Sequence, residues 1–194
     1  MPPEAVVIGV SAGGLSALKL LLPALPASFP LPLAIVQHVG GHSDGFLADF
    51  LDRLSLIRVK EAEDKEPLCP GAAYLAPPGY HLLVERDRSV GLSVDARVNH
   101  CCPAIDVLFE SAAEAYGPKL IGVILTGANG DGALGLKAVR RQGGIAIVQD
   151  PRDAQSPIMP RAALAATPAD HVLPLDRIAP LLLRLALGEG VDAA

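Results

Sequence analysis

Three polar side chains stand where apolar runs of the sequence end, and their types suit nucleophilic catalysis. Ser11 follows AVVIGV, His38 follows LAIVQ, and Asp131 lies in the loop TGANGDG that comes after LIGVIL. An imidazole can take the proton of a serine hydroxyl and return it to a leaving group, while a carboxylate fixes the histidine tautomer and stabilises the imidazolium. These residues therefore predict a serine hydrolase with Ser11 as nucleophile, His38 as general base and Asp131 as the orienting group.

The segment from Gly9 to Gly13 fits the pattern G-x-S-x-G at a strand-to-helix junction. A turn of this kind projects the serine hydroxyl, its small neighbours let a substrate carbonyl approach, and the first amides of the following helix can hold an oxyanion. The alternative is a phosphate-binding loop, since Gly9, Ser11 and Gly14 also resemble a dinucleotide fingerprint. That fingerprint expects an acidic residue about 20 residues further on, whereas this chain has Gln37 and His38 there.

Each of the other two residues has a structural alternative. His38 can be a histidine that hydrogen-bonds the backbone at a strand end, and Asp131 can be the N-cap of the helix that follows it. The chain order Ser, His, Asp differs from the order Ser, Asp, His of α/β-hydrolases, so that superfamily is not implied.

Other histidines and cysteines are weaker candidates. The run His100-Cys101-Cys102 has metal-ligand residue types, but adjacent residues cannot easily converge on one tetrahedral ion. Nothing in the sequence marks Cys101 as an activated nucleophile. His42 and His81 are predicted to be surface or loop residues. No metal and no cofactor is therefore predicted.

Short apolar runs alternate with helical patterns at both ends of the chain. Strands are predicted over residues 5–10, 33–37, 57–62, 72–76, 81–85, 89–94, 120–125, 145–148 and 171–173. Helices are predicted over residues 15–22, 44–54 (with Ser43 as cap), 104–116, 132–142, 161–166 and 176–187. This alternation indicates an α/β fold in which a mostly parallel sheet carries helices on both faces, a doubly wound three-layer arrangement. The hairpin-like region 57–94 predicts a small antiparallel extension.

Length and composition limit the remaining possibilities. The chain of 194 residues fits a single domain over 1–194, and its net charge of -5 argues against a nucleic-acid partner. Three cysteines, two of them adjacent, do not form a disulfide framework and favour a reducing cytoplasm. The sequence shows no signal peptide and no apolar run long enough to insert in a membrane.

Several motifs in the same order resemble the catalytic domain of the chemotaxis protein-glutamate methylesterases of the CheB type. The matching segments include VVIGVSAGGLSAL, AIVQH, EAEDKEPLCPGAAYLAPPGYHLLV, PAIDVLFESAA, GVILTGANGDGALGL, GGIAIVQDP and MPRAAL. The resemblance runs over almost the whole chain, and it assigns the family's serine, histidine and aspartate to Ser11, His38 and Asp131. It also implies a parallel-sheet α/β fold.

The resemblance implies hydrolysis of glutamate γ-methyl esters on the cytoplasmic helices of chemoreceptors, with release of methanol. Some family members also deamidate receptor glutamines, which the sequence leaves open here. A catalytically silent regulatory or docking module on the same scaffold is the alternative function, and the intact set Ser11, His38 and Asp131 argues against it.

Three departures from the family pattern stand out. The usual enzyme carries an N-terminal phospho-receiver domain, whereas this sequence starts at the catalytic strand, so we expect a stand-alone catalytic domain under the control of some separate regulator. The loop has Ala128 and Asn129 where a methionine and a glycine are typical, and Cys102 precedes Pro103 where many members have a basic residue. The last two changes bear on the substrate more than on the chemistry.

Overall fold

The structure is a computed structural model that describes residues 1–38 and 46–188. Its strands are β1 Ala5–Val10, β2 Leu33–Gln37, β3 Arg58–Glu61, β4 Ala72–Leu75, β5 His81–Val84, β6 Val90–Ser93, β7 Leu120–Ile124, β8 Ile145–Gln149 and β9 His171–Leu173. Its helices are α1 Gly14–Leu21, α2 Phe46–Leu54, α3 Ile105–Tyr116, α4 Ala133–Arg141, α5 Ile158–Ala166 and α6 Leu175–Ala186.

Seven of the strands form one parallel sheet in the order β3-β4-β2-β1-β7-β8-β9. The chain order reverses direction beside β1, so β1 has β2 on one side and β7 on the other. Crevices that bind ligands form at such positions, beyond the carboxyl ends of the strands. The loops that follow β1, β2 and β7 therefore meet at one edge of the sheet.

The two faces of the sheet are covered by different helices. Alternate β1 residues point in opposite directions, so Val6 and Ile8 pack with residues of α1, α2 and α6. Ala5 and Val7 pack in a second apolar cluster with residues of α3, α4 and α5. The predicted three-layer α/β architecture is thus confirmed.

The predicted antiparallel extension is also present, but it includes fewer strands than the region 57–94 for which it was predicted. Strands β5 and β6 pair antiparallel as a separate two-stranded sheet. Strands β3 and β4 lie in the same predicted hairpin-like region, yet they pair in parallel and belong to the main sheet. Four-residue strands carry too little alternation to fix the direction of their pairing, which the connections decide instead.

Helix α5 begins at Ile158 rather than near Arg161, and Pro160 explains the difference. Proline lacks an N–H, but the amides of the first helical turn have no intrahelical acceptor, so a proline there is tolerated. The predicted Ser43 cap and His42 lie outside the described residues. None of the described helices has the length and apolar character needed to cross a membrane.

Candidate active site

Ser11 is the first residue after β1, and its backbone is held from both sides. The Ser11 amide donates to the carbonyl of Thr126, which follows β7 (3.0 Å). The Gln37 side-chain amide donates to the Ser11 carbonyl (3.0 Å). The Thr126 hydroxyl donates to the Ala12 carbonyl (2.8 Å). These bonds fix the turn that presents the serine hydroxyl.

His38 is the first residue after β2, and the register of the sheet brings it beside Ser11. Val10 pairs with Gln37 at the ends of β1 and β2. The residues that follow them, Ser11 and His38, are therefore side by side at the edge of the sheet. The His38 amide donates to the Val10 carbonyl (3.0 Å), and the Gln37 side chain donates to the His38 carbonyl (2.8 Å). One buried amide side chain therefore joins the two turns.

The imidazole of His38 lies between the hydroxyl of Ser11 and the carboxylate of Asp131. Nδ1 is 3.2 Å from Ser11 Oγ, and Nε2 is 2.8 Å from Asp131 Oδ2. A carboxylate accepts a hydrogen bond, so the proton of the neutral ring belongs on Nε2 and Nδ1 keeps a lone pair toward the serine. The structure thus brings together the three residues that the sequence singled out.

Asp131 is fully buried and is held at the N-terminus of α3. Its Oδ2 accepts from the amide of Ile105 (2.6 Å) and its Oδ1 from the amide of Asp106 (3.2 Å), the first two residues of that helix. The local prediction that Asp131 is the N-cap of the helix after it is wrong, because Gly132 occupies the N-cap position of α4. The positive end of the α3 dipole faces the carboxylate instead.

This environment keeps Asp131 ionised. Burial acts to raise the pKa of Asp131, but the hydrogen bonds from His38, from Asn99 and from the first α3 amides outweigh it, and the pKa is lowered below its ordinary value. A carboxylate that stays charged can hold the His38 tautomer and stabilise the imidazolium.

A second carboxylate, Asp106 in α3, lies close to the first. The side-chain amide of Asn99 donates to Asp106 Oδ2 (2.8 Å) and to Asp131 Oδ1 (2.9 Å). Burial raises the pKa of Asp106; the amide of Gly135 opposes this shift and the charge of Asp131 adds to it. Asn99 therefore separates two acidic groups that would otherwise repel each other.

Two glycines let α3 approach the site. A Cβ on Gly9 would lie 2.4 Å from Ile105 Cγ2, and a Cβ on Gly132 would lie 2.7 Å from the same atom. Gly9, the first residue of G-x-S-x-G, therefore makes room for the helix start that binds Asp131. The sequence predicted that the small residues of this motif make room for a substrate carbonyl, but Gly9 makes room for Ile105 of α3 instead.

Cys101 and Asn129 complete the surroundings of His38. Cys101 Sγ is 3.8 Å from His38 Nδ1, and Asn129 Nδ2 is 3.4 Å from the same nitrogen and 3.5 Å from the sulfur. Burial, followed by the charge of Asp131, raises the pKa of the Cys101 thiol. The thiol is therefore protonated near neutral pH and is not activated as a nucleophile.

The structure places several residues in surroundings that the sequence did not predict. His100 is exposed and Cys102 half-buried, and only Cys101 of that run meets the His38 ring. His81 is buried in β5 rather than on the surface, where its ring bonds the carbonyl of Ala96 and the amide of Ala104. Gln37, Asn99 and Asp106 were missed, because a lone polar residue next to an apolar run or in a loop has no pattern of its own.

A serine, an imidazole and a carboxylate in line at the carboxyl edge of a parallel sheet is the arrangement that serine hydrolases use. The chain belongs to the CheB methylesterase family, whose family model matches residues 6–182. It is similar to the Thermotoga maritima CheB methylesterase catalytic domain, with a TM-score of 0.90 and 38% identity over 95% of this chain and 100% of that one.

Curated relatives agree with this assignment. A Leptospira interrogans protein, named for protein-glutamate methylesterase and protein-glutamine glutaminase, is 55% identical over 182 residues, or 94% of each chain. The Moorella thermoacetica protein-glutamate methylesterase/protein-glutamine glutaminase is 44% identical over 96% of this chain, which spans 45% of that relative. The Myxococcus xanthus protein-glutamate methylesterase FrzG is 41% identical over 94% of this chain, which spans 55% of it.

Proposed function

We propose that this protein hydrolyses the γ-methyl esters of glutamate side chains through Ser11, His38 and Asp131. The observation that carries the proposal is the line of atoms from Ser11 Oγ to His38 Nδ1 (3.2 Å) and from His38 Nε2 to Asp131 Oδ2 (2.8 Å). It occurs in a chain whose family and relatives are named for this reaction.

The reaction starts with transfer of the Ser11 proton to His38 Nδ1. The serine oxygen attacks the ester carbonyl as the proton leaves, and the ring becomes an imidazolium. Asp131 remains a carboxylate, because its hydrogen bonds hold its pKa below the ordinary value. It stabilises the charged ring through the Nε2–H bond without taking the proton.

The negative charge on the carbonyl oxygen needs donors, and the turn after Ser11 supplies two. The amide of Ser11 bonds Thr126 and the amide of Gly14 bonds Ser11. Within the part of the chain that the structure describes, the amides of Ala12 and Gly13 have no acceptor. We assign these two amides to the oxyanion, where one such donor typically contributes about 100-fold or more to kcat.

Collapse of the tetrahedral intermediate expels methoxide, which takes the proton from His38 Nδ1 and leaves as methanol. The acyl group is then an ester of Ser11. A water molecule gives a proton to Nδ1 and attacks this ester, and the serine oxygen recovers the proton when free glutamate leaves. Formation of the acyl-enzyme and its hydrolysis use the same base and the same oxyanion donors.

The relatives are named for methyl esters of protein glutamates, and the family resemblance of the sequence leads us to assign the substrate to methylated glutamates on the cytoplasmic helices of chemoreceptors. A protein that acts on this substrate works in the cytoplasm, which is the location that we propose. Glutamine deamidation is the second candidate activity, because several relatives are also named protein-glutamine glutaminase. It needs the same acyl-enzyme, with ammonia as the leaving group instead of methanol.

The test is methanol release from a purified, methylated cytoplasmic fragment of a chemoreceptor. Wild-type protein should release methanol, and Ser11→Ala should lower kcat by about 1,000-fold or more while the protein stays folded. Ser16→Ala is the matched control, since Ser16 is an exposed serine of α1, and it should keep full activity.

The alternative is a silent docking module on the same scaffold. Folded wild-type protein that binds the methylated fragment without releasing methanol would support the module and remove the proposed esterase. Release of ammonia from a glutamine-containing fragment, lost in Ser11→Ala, would add the second activity.

A further inference from the structure

A cysteine thiol lies against the nitrogen that we assign as the general base. Cys101 Sγ is 3.8 Å from His38 Nδ1 and 3.4 Å from the carbonyl oxygen of Asn99, to which it can donate. Sulfur and imidazole nitrogen are the two ligand types that Zn²⁺ prefers. They come here from different loops, so they can converge on one ion where the adjacent residues 100–102 could not.

The spacing of these atoms fits a tetrahedral ion. With metal–ligand lengths of about 2.0 Å for nitrogen and oxygen and about 2.3 Å for sulfur, nitrogen and sulfur ligands lie about 3.5 Å apart and nitrogen and oxygen about 3.3 Å apart. The corresponding distances from His38 Nδ1 are 3.8 Å to Cys101 Sγ and 3.2 Å to Ser11 Oγ. The side-chain amide of Asn129, which lies 3.4 Å from Nδ1 and 3.5 Å from Sγ, has to rotate away when an ion binds these two atoms.

His38 is already oriented as metal-binding histidines usually are. Such a histidine donates its other ring N–H to a carboxylate, which fixes the tautomer and makes the ligating nitrogen more basic. Asp131 accepts from Nε2 in this way (2.8 Å). His38, Cys101 and Asp131 have donor atoms within 4.8 Å of one another, but both oxygens of Asp131 already accept bonds from the ring, Asn99 and backbone amides. Asp131 therefore does not bind the ion itself but holds the His38 ring by a hydrogen bond from outside the coordination shell.

We propose that His38 Nδ1 and Cys101 Sγ form an inhibitory site for a thiophilic divalent cation such as Zn²⁺. Ser11 Oγ and water complete the coordination. Binding sends the thiol proton to solvent and gives the Nδ1 lone pair to the metal, so the ring can no longer accept the serine proton. The inhibition rests on the proposed function, whereas the binding itself does not.

Binding is tested with Co²⁺ as the probe, on the reduced protein. A thiolate ligand gives Co²⁺ an intense near-ultraviolet charge-transfer band. We expect this band in the wild type and in Ser11→Ala, and its loss in Cys101→Ser and in His38→Ala. Cys102→Ser and Cys69→Ser are the matched controls, since neither sulfur meets the ring, and both should keep the band.

Inhibition is tested with Zn²⁺ in the methanol-release assay. Zn²⁺ should abolish turnover reversibly, with recovery upon chelation, and Cys101→Ser should need about tenfold more Zn²⁺ or more for half-inhibition of its own metal-free rate. Absence of the charge-transfer band in the wild type, or equal Zn²⁺ inhibition of Cys101→Ser, would overturn the metal site. A band that needs Cys101 and His38 in protein without esterase activity would uphold the site and refute the proposed function instead.

Discussion

Asp106 and Asp131 each cap the helix to which the other is attached. Asp131, which lies just before α4, accepts from the first amides of α3. Asp106 in α3 accepts from the amide of Gly135 in the first turn of α4 (2.7 Å). The two helices pack on the same face of the sheet, so the carboxylate that orients His38 is tied to the packing of both helix starts.

Asn99 makes this arrangement of two carboxylates possible, and its loss should slow the reaction. Asn99→Ala removes one amide that bonds both acids, so Asp131 loses a bond that holds it toward His38. We expect kcat to fall about 10- to 100-fold, while KM changes little because Asn99 is not assigned to substrate. The measurement is the steady-state rate of methanol release.

The backbone of Asn99 provides a control for this variant. Its φ is 51°, in the left-handed region, where alanine is strained and glycine is not. Asn99→Gly removes the same amide without that strain. Similar losses of kcat in both variants would identify the side chain as the cause. A normal rate in Asn99→Gly would contradict a positioning role.

Asp131 should stabilise the fold in a pH-dependent way. Its folded pKa is lowered below the unfolded value of about 3.9. Between these two values the unfolded state binds more protons, so the contribution of Asp131 is fully present above the unfolded pKa and is lost as pH falls through the folded pKa. Below about pH 4, the free energy of unfolding of wild type minus that of Asp131→Asn should shrink as pH falls. Urea unfolding across this range measures the difference, and a gap that grows toward acid would contradict the lowered pKa.

Asp106 should behave with the opposite sign. Burial raises its folded pKa above the unfolded value, so the native state holds the proton longer. Ionised Asp106 therefore reduces stability as pH rises from the unfolded pKa through the folded one. Relative to Asp106→Asn, the wild type should lose stability as pH increases from about 4 upward, until the folded group has titrated. The same urea series tests this, and parallel curves for the two proteins would refute it.

Gly9 should be required for the position of α3. In Gly9→Ala the new methyl group would lie 2.4 Å from Ile105 Cγ2, which forces the helix start away from Asp131. Overpacking of this kind costs about 1–3 kcal/mol, and we expect a lower Tm together with a lower kcat. Gly130→Ala is the matched control beside Asp131, because its Cβ would come no closer than 3.7 Å to Ala162. Equal Tm and kcat in the two variants would show that the close approach at Gly9 has no consequence.

The sequence predicted those parts of the molecule that depend on local patterns. Apolar runs that end in a polar residue marked β1 and β2, and the parallel fold implied that Ser11 and His38 leave the sheet at the same edge. Asp131 was recognised by position and by family resemblance, but its contacts with α3 depend on how two distant helices pack. Asn99 and Cys101 lie in an irregular loop, where no periodicity indicates which side chains turn inward.

The most direct test of the account is the site at which a fluorophosphonate probe reacts, mapped by peptide mass spectrometry. The probe mimics the acyl group and needs a serine that is activated by a neighbouring base. We predict one adduct, on Ser11, in the wild type and in Ser16→Ala, and none in Ser11→Ala or His38→Ala. An adduct on another residue, or equal labelling of Ser11 when His38 is alanine, would contradict the claim that these two side chains work as nucleophile and base.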